Sequence, residues 1–440
     1  MRRGSHNRSL AESVPEQQPS RRQRHVVFWE LQPWNAPQSS VGIGYGRCLI
    51  GMRIAIPIHS FEPGGVERVA LRLAEHWRDA GHEPVIILGR GRGACAGSVP
   101  DLDYRVMREP FSTDGWETIW MIWSFFQFLL VEKVDAIFCP GNTYTVVCVA
   151  MKILLGDQCP PVLVKISNDL ERRDLPKLVR PLYRWWLRVQ GAVLEDFIAI
   201  ASPMRAEVER ELALPENRVC VIPDPALSES ELLQLSGSRL AEEAQAGCRF
   251  LTIGRLAAQK NHMLLLEAFA RHARPEDTLV IAGDGPERER LVERADALGL
   301  RSRVRFVGHV DDVRALYAEA DVFVLSSHYE GAPAVILEAL AAGLPIAATN
   351  CCVSMEWLTG YGQFGVVVSP GDPDTLGTAM NVARHLRPDR TAMQGLAGSF
   401  TVECSGQLYL SKLAALVSDS RRQRREKMLS SMRVWLDGGV

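Results

Sequence analysis

From residue 52 onward, short continuous apolar runs alternate with longer stretches in which apolar residues recur every three or four positions. The runs "RIAIPI" (53–58), "EPVIILG" (83–89), "VDAIFCPG" (134–141), "PVLVKISND" (161–169), "DFIAIAS" (196–202) and "RVCVIPDP" (218–225) predict buried strands. Between them, "GGVERVALRLAEHWRDAG" (64–81) sets Val66, Val69, Leu73 and Trp77 on one side of a helix that stops at Gly81. After a polar stretch over 226–246 the cycle restarts with "RFLTIGR" (249–255), "TLVIAGDG" (278–285), "RVRFVGHV" (303–310), "DVFVLSS" (321–327) and "PIAAT" (345–349). Buried strands alternating with helices predict doubly wound parallel sheets. The chain therefore divides into two Rossmann-like α/β domains, 52–225 and 247–405, joined by a linker at 226–246. A helical segment, 406–440, carries the basic run "RRQRREK". Two such domains facing each other leave a cleft at the carboxyl ends of their strands, where ligands bind.

Composition narrows the class. The 440 residues suit two domains, and 47% hydrophobic with 23% charged residues is a globular profile. A net charge of −2 gives no global attraction to nucleic acid, and no nucleic-acid partner is expected. Ten cysteines without a CxxC pair argue against a zinc site or a disulfide framework, and for reduced thiols in the cytoplasm. Residues 1–51 lack apolar periodicity and read as a disordered tail or an extension ahead of Met52. The longest apolar run, "IWMIWSFFQFLLV" (119–131), falls short of the ~20 residues that span a bilayer and predicts a buried helix.

The chemistry concentrates in the loops that follow strands. Gly64 and Gly65 stand between the first strand and its helix, where a backbone N–H can approach a ligand. Arg255 follows the first strand of the second domain and Lys260 stands at the next helix entrance. A planar fork and a point charge at one sheet edge suit a diphosphate. In "HYEGAPAVILEALAAGLP" (328–345), Glu330 precedes a helix start and Glu338 interrupts an aliphatic helix. Gly331 is expected to supply an unusual backbone angle and Pro333 to start the helix, whose free N–H groups face the cleft. An acid in such a helix needs a partner, and a ribose diol suits an acceptor-only carboxylate.

These residues resemble a known pattern. "EGAPAVILE" is similar to the E-x7-E motif of retaining glycosyltransferases of the GT-B fold. "GGVERVALRLAEHWRDAGHEP", "TIGRLAAQKN", "IAGDGPERERL" and "EALAAGLPIAAT" resemble glycosyltransferase family 4 in order and spacing, over roughly 52–420. The resemblance implies a nucleotide-sugar donor held by the second domain. Arg255 and Lys260 would bind the diphosphate, Glu338 the ribose and Glu330 the sugar. The backbone of Gly331, Ala332, Pro333, Ala334 and Val335 would complete the contacts. Gly65 would approach from the first domain, and Val310 sits where the family meets the base. It implies catalysis by Glu330, Arg255 and Lys260 with no metal or other cofactor, and a glycan or lipid-linked acceptor. Where many relatives carry a His, this chain has Pro140, Gly141 and Asn142. Asn142, Asn168 and Asp169, at strand ends, are expected on the acceptor side.

Two alternatives share the architecture: a GT-B epimerase of UDP-sugars, and a non-catalytic scaffold of a polysaccharide assembly complex. Asp101-Leu102-Asp103 and Asp372-Pro373-Asp374 have the letters of a DxD metal site without a preceding apolar strand, and "GRGRGACAG" (89–97) has the letters of a dinucleotide loop without a following helix. In "ERRDLPKLVRPLYRWWLRVQ" (171–190), arginines interleave with Tyr183, Trp185 and Trp186, which suits the surface of an anionic membrane and a peripheral location.

Overall fold

The computed structural model describes residues 26–29, 51–61, 64–91, 99–109, 112–113, 115–172, 175–237 and 247–437. Most of the 1–51 extension, the core of the 89–97 glycine run and the second half of the 226–246 linker lie outside the described residues. Two all-parallel sheets form. The first contains β1 (Val26–Trp29), β2 (Arg53–Ile58), β3 (Glu83–Leu88), β4 (Asp103–Met107), β5 (Ala136–Cys139), β6 (Val162–Ile166), β7 (Asp196–Ala199) and β8 (Val219–Val221). The second contains β9 (Arg249–Ile253), β10 (Thr278–Ala282), β11 (Val304–Gly308), β12 (Val322–Leu325), β13 (Ile346–Thr349) and β14 (Gly365–Val368).

The strand orders are β1-β4-β3-β2-β5-β6-β7-β8 and β11-β10-β9-β12-β13-β14. From β2 onward both sheets therefore reverse their winding once, between β2 and β5 and between β9 and β12. Loops that leave a reversal point diverge to opposite faces and open a crevice at the carboxyl edge. Strands buried on both faces explain the continuous apolar runs. In the first sheet Ala55 and Ile137 join one core layer while Ile54, Ile56 and Phe138 join the other. The second sheet separates two further layers in the same way.

Four features depart from the sequence reading. β1 lies inside the 1–51 extension expected to be a tail, and pairs in parallel with β4. β4 was not expected: its alternating pattern, with Tyr104 and Val106 buried between Asp103, Arg105 and Met107, marks a half-covered strand. The linker contains helix Glu229–Gly237, whose Leu235 is buried in a second-domain core. Helix Glu117–Val131 is not a buried helix. Met121, Ser124, Phe125 and Phe128 face the core, whereas Trp116, Ile119, Trp123 and Leu130 are exposed.

The last helix, Val402–Asp437, runs back along the first domain. Its Tyr409, Leu410 and Leu413 complete the core layer under β2 and helix Gly65–Asp79. The Trp77 indole donates to the Gly406 carbonyl at 3.1 Å. A Cβ on Gly406 would lie 2.3 Å from the His76 ring, so glycine sets the close approach of the two helices. Further along, Arg421 pairs with Asp135 at 2.5 Å, and Arg424 donates to the Cys159 carbonyl at 2.7 Å.

Two buried polar groups make the fold sensitive to substitution and pH. Lys165, in the middle of β6, is 1% exposed and donates to Asp224 at 2.6 Å, joining the first sheet to the segment that leaves it. Removing one member of a buried pair strands the other charge. Lys165→Met is expected to cost about 3–5 kcal/mol in urea unfolding, with much of the loss recovered in Lys165→Met/Asp224→Leu. His262 is buried at the start of helix His262–His272, with Nδ1 unpartnered. Burial first, and the Lys260 charge second, lower its pKa to about 4 from 6.5. The unfolded chain therefore binds a proton that the folded one refuses. Stability is unaffected by His262 above pH ~6.5 and falls by about 1.4 kcal/mol per pH unit below it, to a total of about 3 kcal/mol near pH 4. The difference in unfolding free energy between wild type and His262→Gln, measured stepwise over that range, should show this slope.

Candidate functional site

The winding reversal of the second sheet places two loops side by side: residues 254–261 after β9, and 326–333 after β12. The loops are laced together. His328 N–H donates to the Gln259 carbonyl at 2.8 Å, the Gln259 amide donates to the Tyr329 carbonyl at 2.8 Å, and the Ser326 hydroxyl donates to the Lys260 carbonyl at 2.9 Å. Within this frame the Lys260 ammonium meets Glu330 Oε1 at 2.5 Å, and the Ser327 hydroxyl donates to the same oxygen at 2.7 Å. Lys260 and Glu330, 70 residues apart, thus form one charged unit whose side chains are 21% and 10% exposed. Arg255 lies exposed directly after β9, and its guanidinium has no hydrogen bond or ion pair among the described residues.

Glu330 leads into helix Ala334–Ala341, whose N-cap is Pro333 and whose N terminus no side chain caps. The N–H groups of Ala334 and Val335 have no partner within the helix, while that of Ile336 donates to the Pro333 carbonyl at 2.9 Å, so positive partial charge collects beside the Lys260–Glu330 unit. Gly331 is needed for a reason other than the expected one. Its φ is not in the left-handed region. A Cβ there would sit 1.8 Å from the Ser167 carbonyl oxygen of the first domain and 2.7 Å from the Asn168 side-chain oxygen. Gly331 and Asn168 form an antiparallel β-bridge across the cleft. Glycine is required by the approach of the other domain's backbone.

Glu338 has a partner that the sequence did not reveal. The fully buried Tyr317 hydroxyl donates to its Oε2 at 2.8 Å, leaving Oε1 without a hydrogen bond among the described residues. Burial raises the Glu338 pKa, opposed by the Tyr317 hydrogen bond and by the charge of Arg68. Arg68 and Arg72 stand four residues apart on helix Gly65–Asp79 of the first domain. Arg72 reaches across to Glu231 and to the Ala226 carbonyl. A row of arginines after the Gly64-Gly65 turn was the available signal. Tyr317, in "DVRALYAEA", had no signal beyond its phenol in an apolar position.

The reversal point of the first sheet faces this site with the loops after β2 and β5. The space over Gly65 is open, with no atom within 4 Å of a Cβ placed there. His59 stacks on Tyr144 with centroids 4.7 Å apart and donates its backbone N–H to the Tyr144 hydroxyl, which donates to Glu67 at 2.6 Å. Burial lowers the His59 pKa and holds the imidazole neutral. The residues expected on the acceptor side are engaged elsewhere. Asn142 accepts from Ser167 N–H at 2.8 Å, and Asp169 accepts from Val353 N–H of the second domain at 3.1 Å. With the Asn168 bridge, these contacts join loop 167–169 to the second domain. Val310 lies half-exposed past β11, beside the exposed His309 and Asp311.

Neither DxD triplet forms a cluster of ligands. Asp103 starts β4 and pairs with Arg105. Asp372 caps helix Pro373–Ala383, and Asp374 accepts from Arg271 and lies 3.0 Å from the His272 ring. Among the described residues no group of three or more His, Cys, Asp or Glu could hold a metal ion.

Comparison with known proteins agrees with this geometry. The glycosyl transferase 4-like domain model matches residues 64–225, and the glycosyl transferases group 1 model matches 244–395. The lipopolysaccharide core biosynthesis glycosyltransferase LpsE of Rhizobium meliloti is 37% identical over 170 residues, which are 38% of this chain and 49% of that one. The chain thus spans about half the length of this relative. Among solved structures, the lipopolysaccharide outer core galactosyltransferase WaaB superposes with a TM-score of 0.65 at 18% identity, over 83% of this chain and 99% of that one. HepE of Anabaena in complex with UDP superposes at 0.62 with 20% identity, over 83% and 100%. The chain is built as a glycosyltransferase of the GT-B fold, a 4-like domain followed by a group 1 domain.

Proposed function

We propose that this protein transfers a sugar from a nucleotide-diphosphate sugar, with retention of anomeric configuration as in family 4, to a glycan or lipid-linked acceptor in the synthesis of cell-surface polysaccharide or lipopolysaccharide. The observation that carries this reading is the Lys260–Glu330 unit beside Arg255 and the uncapped start of helix Ala334–Ala341, at the winding reversal of the second sheet. The similarity to LpsE and the fold shared with a UDP complex support it.

The roles follow from charge. Cleavage of the bond between sugar and phosphate passes through an oxocarbenium-like state and leaves negative charge on the departing diphosphate. Arg255, Lys260 and the N–H groups of Ala334 and Val335 stand where that charge grows and lower the barrier electrostatically. Glu330 spends one oxygen on Lys260 and Ser327, which fixes the ammonium, and its other oxygen faces the donor sugar. Glu338 Oε1 receives the ribose hydroxyls while Tyr317 holds Oε2. Gly65 leaves room for the donor from the first domain, and Val310 borders the base. The positive charge needed by the leaving group comes from the protein, so the reaction proceeds without a metal. The acceptor hydroxyl attacks on the face that the diphosphate leaves, which retains the configuration.

Nucleotide release from UDP-, GDP- and ADP-sugars in the presence of lipid-linked acceptors tests the reading. With the preferred donor, Lys260→Ala is expected to lower kcat/KM by about 10²- to 10³-fold, and chelator to leave the wild-type rate unchanged. Full activity of both Lys260→Ala and Glu330→Gln would remove these two residues from the transfer step, whereas wild type that releases nucleotide from none of the donors would return the chain to the scaffold alternative. The raised Glu338 pKa adds a pH signature. The ionised carboxylate is the form that accepts two hydroxyls, so nucleotide affinity should fall on acidification at a higher pH than an ordinary carboxylate would impose. Calorimetric titration of nucleotide into Glu338→Gln should give weaker binding that has lost this pH dependence.

A further inference from the structure

Exposed apolar surface is concentrated on one side of the first domain. Of nineteen exposed large apolar side chains among the described residues, eleven belong to three segments: 116–131, 153–154 and 178–185. On helix Glu117–Val131, Trp116, Ile119, Trp123 and Leu130 follow one another at spacings of three, four and seven, which is a single stripe. That stripe points away from the core, since Met121, Phe125 and Phe128 occupy the inner side. A surface helix normally turns a polar face outward. Helices Thr145–Leu155 and Arg180–Val193 cover the same core layer. Their outward positions are also apolar, with Ile153 at 71%, Leu182 at 66% and Trp185 at 62% exposure.

Charge identifies the occupant. Lys177 and Arg188 are exposed beside Leu178 and Trp185, with no ion-pair partner among the described residues. Arg184 is 61% exposed, with Glu211 3.8 Å away. The acid at the other end, Glu117, is already paired with Arg90 at 3.0 Å. A second copy of the chain would bring another set of unpaired cations to the interface without acids to neutralise them. A lipid headgroup layer offers phosphates to the cations and an acyl boundary to the tryptophans.

We propose that this three-helix face lies on the surface of an anionic lipid bilayer, with the Trp116–Leu130 stripe and Trp185 at the acyl boundary and Lys177, Arg184 and Arg188 against headgroup phosphates. The surface is larger than the basic segment 171–190 and is centred on helix Glu117–Val131, about 22 Å long. The inference does not depend on the transfer reaction, since only protein and lipid enter the experiment.

The test is co-sedimentation of the full chain with vesicles of phosphatidylcholine, with and without an equal share of phosphatidylglycerol. Wild type is expected to partition onto the anionic vesicles at least about tenfold more strongly, and less so at high salt. Trp123→Ser/Trp185→Ser and Lys177→Glu/Arg188→Glu should each reduce partition by about tenfold or more, with unchanged thermal melting and nucleotide binding. Absence of binding to anionic vesicles at low ionic strength overturns the proposal, as does equal binding by both double variants. A wild-type dimer in light scattering that becomes a monomer in Trp123→Ser/Trp185→Ser, without lipid binding, assigns the face to a second copy instead.

Discussion

The ammonium–carboxylate contact between Lys260 and Glu330 is the constraint on which the site depends. Arg255 and Lys260 crowd positive charge onto one short loop, and the uncapped helix start adds more. Without a fixed acid the two cations would repel each other and swing into solvent. Glu330 holds Lys260 at 2.5 Å, and Ser327 holds Glu330 at 2.7 Å. The carboxylate therefore belongs to the architecture of the loops as much as to any ligand. The parallel sheet makes this economical, because a single winding reversal brings together two loops about 70 residues apart.

The domains meet through backbone as well as charge. Gly331 presses against Ser167 and Asn168, Asp169 takes the N–H of Val353, and Arg72 spans to Glu231. These contacts are small, polar and on the rim. They suit surfaces that part and meet again, unlike the apolar cores beneath each sheet. The three positions expected to receive an acceptor are thus joined to the second domain or, for Asn142, to the neighbouring loop at Ser167, so an acceptor would have to compete with these contacts or lie beyond them.

Most strands of both domains were legible because burial on two faces writes a continuous apolar run. β4 was not, because a strand covered on one face alternates and Asp103 and Arg105 dilute the signal. Glu330, Lys260 and Glu338 could be found because charge in an apolar or glycine-rich setting is locally anomalous. Tyr317 and Arg68 could not, since their importance arises only when a helix from another part of the chain is laid against Glu338. Gly331 was noticed for the wrong reason: sequence shows that a side chain is missing, but not which atom occupies its place. The run 119–131 failed differently. Apolar residues on every side of a helix predict contact with something apolar all round, and the fold supplies that contact on one side only.

The helix Val402–Asp437 has a consequence for how the molecule is made. Tyr409, Leu410 and Leu413 seal a core whose last strand, β8, ends at Val221. About 180 residues separate that strand from the helix, so at ribosomal rates of about 5–20 residues per second the first domain waits on the order of 10–35 s for its final layer. During that interval the groove over Trp77 and Phe138 is open while the second domain folds. Helix Val402–Asp437 thus acts as a seal on strands made far earlier, and a message cut short before residue 402 would yield two finished sheets with one of them uncovered.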